Sequence, residues 1–224
     1  MRILALETST EYCSVALWQD GAVSDRCELV GQKHSEVLIP MLDGLLRAAS
    51  VKLADLDGIA FGAGPGSFTG VRIACSAAQG LALGADKPVI GVCTLQALAQ
   101  ASGRERVIAA LDARMAEVYH AAYEKRGDEW VTLCAPALCL PQDAPALEDQ
   151  GWFGTGSGFI AHGEQLRARY NANLAAVDEQ AVPQAAAIAQ LAAPLLSAGR
   201  AVDAAQALPQ YLRDKVALKT SERQ

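Results

Sequence analysis

The chain has 224 residues, a formal net charge of −6 and a pI near 5.1, and 51% of its residues are apolar. That length suits one large domain or two lobes of roughly 100 residues each, with a core of useful size. The composition excludes a membrane-spanning helix, since no run of about 18 residues lacks charges or turn formers. It also argues against autonomous nucleic-acid binding, because no Lys/Arg cluster offers a basic patch.

The first residues, MRILALETST, hold an apolar run too short for a signal peptide, and Glu7 interrupts it. RILALE, YCSVALW and AVSDRCEL read as three strands, the last two joined by the hairpin signal Asp20-Gly21. A helix follows over HSEVLIPMLDGLLRAAS, with Ser35 as the expected N-cap. DGIAFG is a strand, GAGPGSFTGVR a turn, and VRIACSAAQGLALG a helix of small residues. KPVIGV and TLQALAQAS complete a first unit as strand and helix.

From residue 106 the layout starts again. RVIAALDARMAEVYHAAYEKRGDEWVTLC reads as strand, acidic turn, strand, Gly-Asp turn and strand. Laid over the start at an offset of about 105 residues, Glu7 falls on Asp112 and the second strands coincide, which points to a duplicated architecture. Beyond it, PQDAPALEDQG is a connection and GWFGTGSGF a short strand entering a turn. AVPQAAAIAQLAAPLLSAG is an Ala-rich helix that Pro194 should kink or break. The tail QALPQYLRDKVALKTSERQ should fray at its end. This gives an N-terminal α/β lobe over 1–103 and a less regular α/β lobe over 104–224, whose terminal segment is free to pack back on the first.

Residues 62–70 carry four glycines, with Ser67 and Thr69 among them. The stretch is not a Walker A loop, because Val71 stands where the lysine is needed, and it breaks both the G-x-G-x-x-G and G-x-S-x-G spacings. Two readings remain. Backbone N–H groups at the start of a helix can hold an anion, or the glycines only let a strand turn tightly into a helix. An anion or nucleotide would be contacted by Glu7, Thr8, Gly64, Gly66, Ser67 and Thr69. No metal site is expected: His34, His120 and His162 lie far apart, without HExxH or i, i+4 pairing. The six cysteines include no CxxC, as in reduced cytosolic proteins.

The helix after His34 is apolar over about 200°, where packing on one sheet asks for about 100°. Its surplus must be covered by another part of the chain or by a partner subunit.

Together ETSTEYCSVAL, His34–Glu36, GAGPGSFTGVR, LDARMAEVY and PQYLRDKVA resemble the bacterial TsaB (YeaZ) proteins over nearly the whole chain. The resemblance implies the two-lobed actin/Hsp70/sugar-kinase fold. It implies a cytoplasmic accessory subunit in forming threonylcarbamoyladenosine at position 37 of ANN-decoding tRNAs, with the tRNA held mainly by the rest of the complex. The catalytic relative TsaD holds a metal through an H-x-x-x-H pair, whose places fall here on Thr94 and Leu98, neither a suitable ligand. The resemblance therefore implies no catalytic residue, metal or cofactor in this chain, with ATP or ADP confined to the complex. It implies pairing with TsaD through Val37, Leu38, Met41, Leu42 and Leu45, self-pairing when TsaD is absent, and recruitment of the ATPase TsaE. The competing expectation is an independent enzyme of the glycoprotease or phosphotransferase type.

Overall fold

A computed structural model describes residues 1–213. The first half runs β1 (Arg2–Glu7), β2 (Tyr12–Gln19), β3 (Ala22–Leu29), α1 (His34–Ala48), β4 (Gly58–Gly64), α2 (Phe68–Ala85), β5 (Val89–Cys93) and α3 (Thr94–Ala101). The second runs β6 (Arg106–Asp112), β7 (Val118–Arg126), β8 (Glu129–Cys139), β9 (Trp152–Thr155), α4 (Gly158–Ala161), α5 (Gly163–Tyr170), β10 (Leu174–Asp178) and α6 (Ala185–Ser197). Each half forms one five-stranded sheet, in the orders β3-β2-β1-β4-β5 and β8-β7-β6-β9-β10. In both, two antiparallel hairpins are followed by two parallel strands. The duplication is therefore a duplication of topology. The second half lacks a long helix after its third strand and has only a short 3-10 turn over Pro141–Asp143.

The hairpin turns follow from local chemistry. Asp20 and Gly21 have φ of 48° and 98°, the two positive values that a two-residue turn matching strand twist requires.

Central strands are covered on both faces, so their runs are apolar without alternation. From β1, Leu4 and Leu6 face α1 and α2, while Ile3 and Ala5 face α6. Ala5, Ala16 and Ala60 meet Ala185, Ala189, Ala192 and Ala193 there, and small side chains on both surfaces let α6 lie close to the sheet. In the second sheet Val107, Ala109 and Leu111 meet α3, and Ile108 and Ala110 meet Phe159, Leu166 and Tyr170. The closing helix of each half thus packs against the sheet of the other half.

Several expectations need correction. Leu38, Met41, Leu42 and Leu45 are not a free surface: they are between 1% and 6% exposed, in the first lobe's own core with Val15, Leu17, Val51, Leu56, Ala74 and Cys75. Only Val37, of the five interface candidates, stays half-buried. The surplus apolar arc of α1 is used because the helix sits in a corner between the sheet, α2 and the connector after α1, not on one flat sheet. Ser35 does not cap α1, which begins at His34 after Lys33 and has no side-chain cap. Pro194 does not break α6, which continues through it to Ser197, one turn from the end. The sequence reading passes over α5 and β10. The last residues of the expected frayed tail, 214–224, lie outside the described residues.

His120 is fully buried on β7, and its Nε2 lies 2.6 Å from the Tyr170 hydroxyl. Burial lowers its pKa to about 4. The unfolded chain therefore binds this proton first as pH falls, so stability contributed above pH 6.5 is lost between 6.5 and about 4. That window is worth about 3 kcal/mol. His120→Gln should flatten this part of the melting temperature against pH curve, and an unchanged slope would refute the assignment.

Candidate functional site

The glycine turn between β4 and α2 rests directly on the turn between β1 and β2. A Cβ on Gly62 would lie 1.8 Å from Glu7 Oε2, one on Gly66 2.5 Å from Ser9 Cβ, and one on Gly70 1.9 Å from the Thr8 carbonyl oxygen. The two turns are laced together by hydrogen bonds. The Ser67 N–H donates to Ser9 O at 2.7 Å, and the Thr8 hydroxyl donates to Gly70 O at 2.7 Å. Ser67 caps α2 by accepting from the Gly70 N–H at 3.4 Å. The Gly64 N–H donates to Thr94 Oγ1 at 3.1 Å.

This packing divides the six candidate anion contacts. Glu7 and Thr8 are buried behind the turn, at 1% and 0% exposure, and Gly64 is buried under Gln210. Gly66, Ser67 and Thr69 line an open cleft of about 1050 Å³ between the lobes. The opposite wall comes from Leu111 to Met115 and from Ser157, Ile160 and Ala161, and Gln210–Arg213 run through it. Sequence reasoning did not assemble this wall. The one signal for it was the register that places Asp112 where the first half has Glu7.

The charged side chains of the second lobe's wall are paired. Asp112 accepts from the Arg114 guanidinium at 3.0 Å and lies 3.7 Å from His162 Nε2. Arg213 pairs with Glu117 at 2.7 Å. A phosphate here would compete with a carboxylate for either arginine. Ser157, His162 and Asp112 are neighbours, but Ser157 Oγ accepts from the Asp112 N–H rather than meeting the imidazole, so the three do not form a Ser-His-Asp relay.

Glu7 is unusual. Its Oε1 accepts from the Ser9 N–H, while Oε2 is buried without a hydrogen-bond partner. Desolvation raises its pKa above the ordinary carboxyl range, against the lowering effect of hydrogen bonds from Ser9 and Thr8. Among the described residues no group of three or more His, Cys, Asp or Glu side chains is placed to hold a metal. His34 lies 3.2 Å from Tyr12 O through its Nε2, and His120 is a core residue. Thr94 and Leu98, both fully buried, are taken up by the fold: one accepts from Gly64, the other packs in the second lobe's core. Burial pushes the Cys13 thiol up to about 12 and also raises Cys27, Cys75, Cys134 and Cys139, which disfavours a thiolate at these positions.

Comparison with known proteins bears on the function. A family model described as TsaD, tRNA N6-adenosine threonylcarbamoyltransferase, matches residues 27–220. The tRNA threonylcarbamoyladenosine biosynthesis protein TsaB of Escherichia coli (strain K12) is 40% identical, over 98% of this chain and 97% of that protein. The protein of the same name from Haemophilus influenzae is 38% identical over 98% and 96%. A solved structure of YeaZ from Pseudomonas aeruginosa is 41% identical, covers 94% of this chain and 99% of that one, and superposes with a TM-score of 0.88.

Two outcomes test the site. Gly70→Ala should cost about 3 kcal/mol or more, because backbone rather than a flexible side chain blocks the Cβ. Gly80→Ala, on the same helix with nothing within 4 Å, should raise stability by about 0.5–1 kcal/mol. Equal effects in denaturant melts would contradict the close approach of the turns. For Glu7, the folded state holds the proton more tightly, so its contribution is complete at low pH and is lost as pH rises above the ordinary carboxyl range. Glu7→Gln should therefore gain in melting temperature over wild type as pH rises from 5 to 8, and a gap that shrinks would refute the upward shift.

Proposed function

The chain belongs to the TsaB family, and we propose that it serves tRNA threonylcarbamoyladenosine formation as a non-catalytic subunit that binds and activates a TsaD-type transferase. Its family membership places it in the biosynthesis of that modified nucleoside. The non-catalytic part of the reading is carried by one observation. Thr94 and Leu98, the places where the resemblance sets a metal pair in TsaD, hold the glycine turn and a core in position and offer no ligand set. The paired charges of the second lobe's wall support the same reading, since Asp112 is engaged by Arg114 and Ser157 by the Asp112 N–H. A tRNA substrate is then held by other subunits, in keeping with the acidic net charge. An ATPase of the TsaE type, and the cytoplasm as the place of work, complete the proposal.

The partner surface proposed here is the outward side of α1 and α2, since the inward leucines of α1 are committed to the core. On it Ile39 is 49% and Leu83 79% exposed. Gly80 and Gly84 leave open space above α2, so a partner helix could approach its backbone closely. The same face would self-pair in the isolated chain.

The test mixes the purified chain with a TsaD-type transferase and its substrates. The mixture should form threonylcarbamoyladenosine on tRNA, and the chain alone should form none. Ile39→Glu and Leu83→Glu should leave the melting curve within about 0.5 kcal/mol of wild type and weaken the complex by roughly tenfold or more. Leu42→Glu should instead unfold the chain, since Leu42 lies in the first lobe's core. If both surface variants bind and activate as well as wild type, the proposed face is wrong; if the chain alone modifies tRNA, so is the non-catalytic reading.

A further inference from the structure

The segment after α6 crosses between the lobes within a single peptide unit. It first pairs with β5 through Val202 and Val89, and then runs beside α2, where Cys75 and Gln79 donate to Ala207 O. The Gln210 N–H donates to Ala63 O at 2.6 Å. Tyr211 accepts from Arg72 Nε at 2.7 Å, and the Arg72 guanidinium lies 3.6 Å from the centre of the Phe68 ring. Everything to this point is held by the first lobe. The next residue, Leu212, packs on the second lobe's core. Arg213 then donates to Ala113 O at 3.1 Å and pairs with Glu117 at 2.7 Å, with its Nη1 3.5 Å from Met115 Sδ. Adjacent Cα atoms are about 3.8 Å apart, so the walls cannot separate here unless one anchor lets go.

The turn that Arg213 holds is itself strained. Arg114, Met115 and Ala116 have φ of 63°, 55° and 61°, three successive L residues in the left-handed region where Cβ crowds the carbonyl. Such a run persists only where the surroundings over-determine it. Here the turn's own hydrogen bonds, from the Ala113 N–H to Glu117 O and from the Glu117 N–H to Arg114 O, and Asp112 on Arg114 are supplemented by an arginine that grips three of its groups from outside. Away from the cleft, Trp130 Nε1 donates to Gln100 Oε1 at 2.7 Å and Gln100 Nε2 to Gln190 Oε1 at 2.9 Å, tying β8, α3 and α6 together. Neither α3 nor α6 lines the cleft. One side is thus pinned by packed helices, and the other by a short strap on a strained turn.

We propose that Gln210–Arg213 is a latch that sets the opening of the interlobe cleft by clamping the turn 113–117. Release of Arg213 relaxes the turn and lets the lobes rotate about the α3–α6 contact, while Gln210 and Tyr211 stay on the first lobe. The inference concerns the chain by itself and stands whether or not the partner reading above holds.

Hydrogen exchange by mass spectrometry on the full chain tests it. Arg213→Ala and Glu117→Gln should each speed exchange over 113–118 by roughly tenfold or more, with β1, β4 and the Gln210 amide unchanged. Arg213→Lys, which keeps the charge but not the fork of donors, should fall between. Trypsin should also cut after Arg114 faster by a similar factor in the first two variants. Unchanged exchange and cleavage would overturn the latch. So would acceleration spread evenly over β1, β4 and β6, which would mean only a loss of global stability, or loss of protection at Gln210, which would mean that the strap simply detaches.

Discussion

The exchange of closing helices between the two sheets is the constraint on which the rest depends. A sheet with apolar residues on both faces must cover both. The first half supplies α1 and α2 for one face of its own sheet, and sends α3 to the second; the second half sends α6 back. Strip α6 away and Ile3, Ala5, Ala16 and Ala60 meet water; strip α3 away and Val107, Ala109 and Leu111 do. Neither half is a complete folding unit, although each has a complete sheet. The boundary near residue 103 separates the repeats in sequence but not the bodies in space.

Because the lobes share helices, the cleft between them has a fixed back and a variable front, and the two repeats have put the same position to different uses. Glu7 ends β1 and Asp112 ends β6. Glu7 is walled in by Gly62 and its own turn, and burial raises its pKa. Asp112 stands at the cleft with Arg114 and His162 and has partners for a charge. Burial and partners separate them: one carboxyl fills a packed corner with Oε2 unpaired, the other organises a wall.

What the sequence made legible follows from which forces are local. Strand positions and the tight turns came from apolar runs and from residues such as Asp20 and Gly21 that accept positive φ, and the duplication came from repeated order. Helix α5 escaped because only Leu166 and Tyr170 of its eight residues are buried, too few for a periodic signal. Strand β10 escaped because it is a short edge strand with little burial. The arc of α1 was read correctly as too wide for one sheet, yet arc width does not say which neighbour fills it; that depends on α2 and the connector after α1, which are placed by tertiary packing. The cleft wall draws on 111–115, 157–161 and 210–213. Only topology brings these together, and no spacing within any one of them announces it.

The glycine motif is where the local signal was strongest and its meaning least local. Each glycine has a steric reason of its own: Glu7 behind Gly62, the Gln210 carbonyl oxygen 2.8 Å from a Cβ on Gly64, Ser9 against Gly66, and Thr8 against Gly70. Gly64 also holds φ at 106°, which an L side chain resists. Packing therefore accounts for the whole pattern without a phosphate. The same closeness has a mechanical consequence. The turn is seated on residues 7–9 and roofed by Gln210, so the first lobe's side of the cleft is closely packed, and the latch acts on the other side. There the strained turn at 114–116 meets the last two described residues, and the two lobes are joined at the front by one peptide bond rather than by a core.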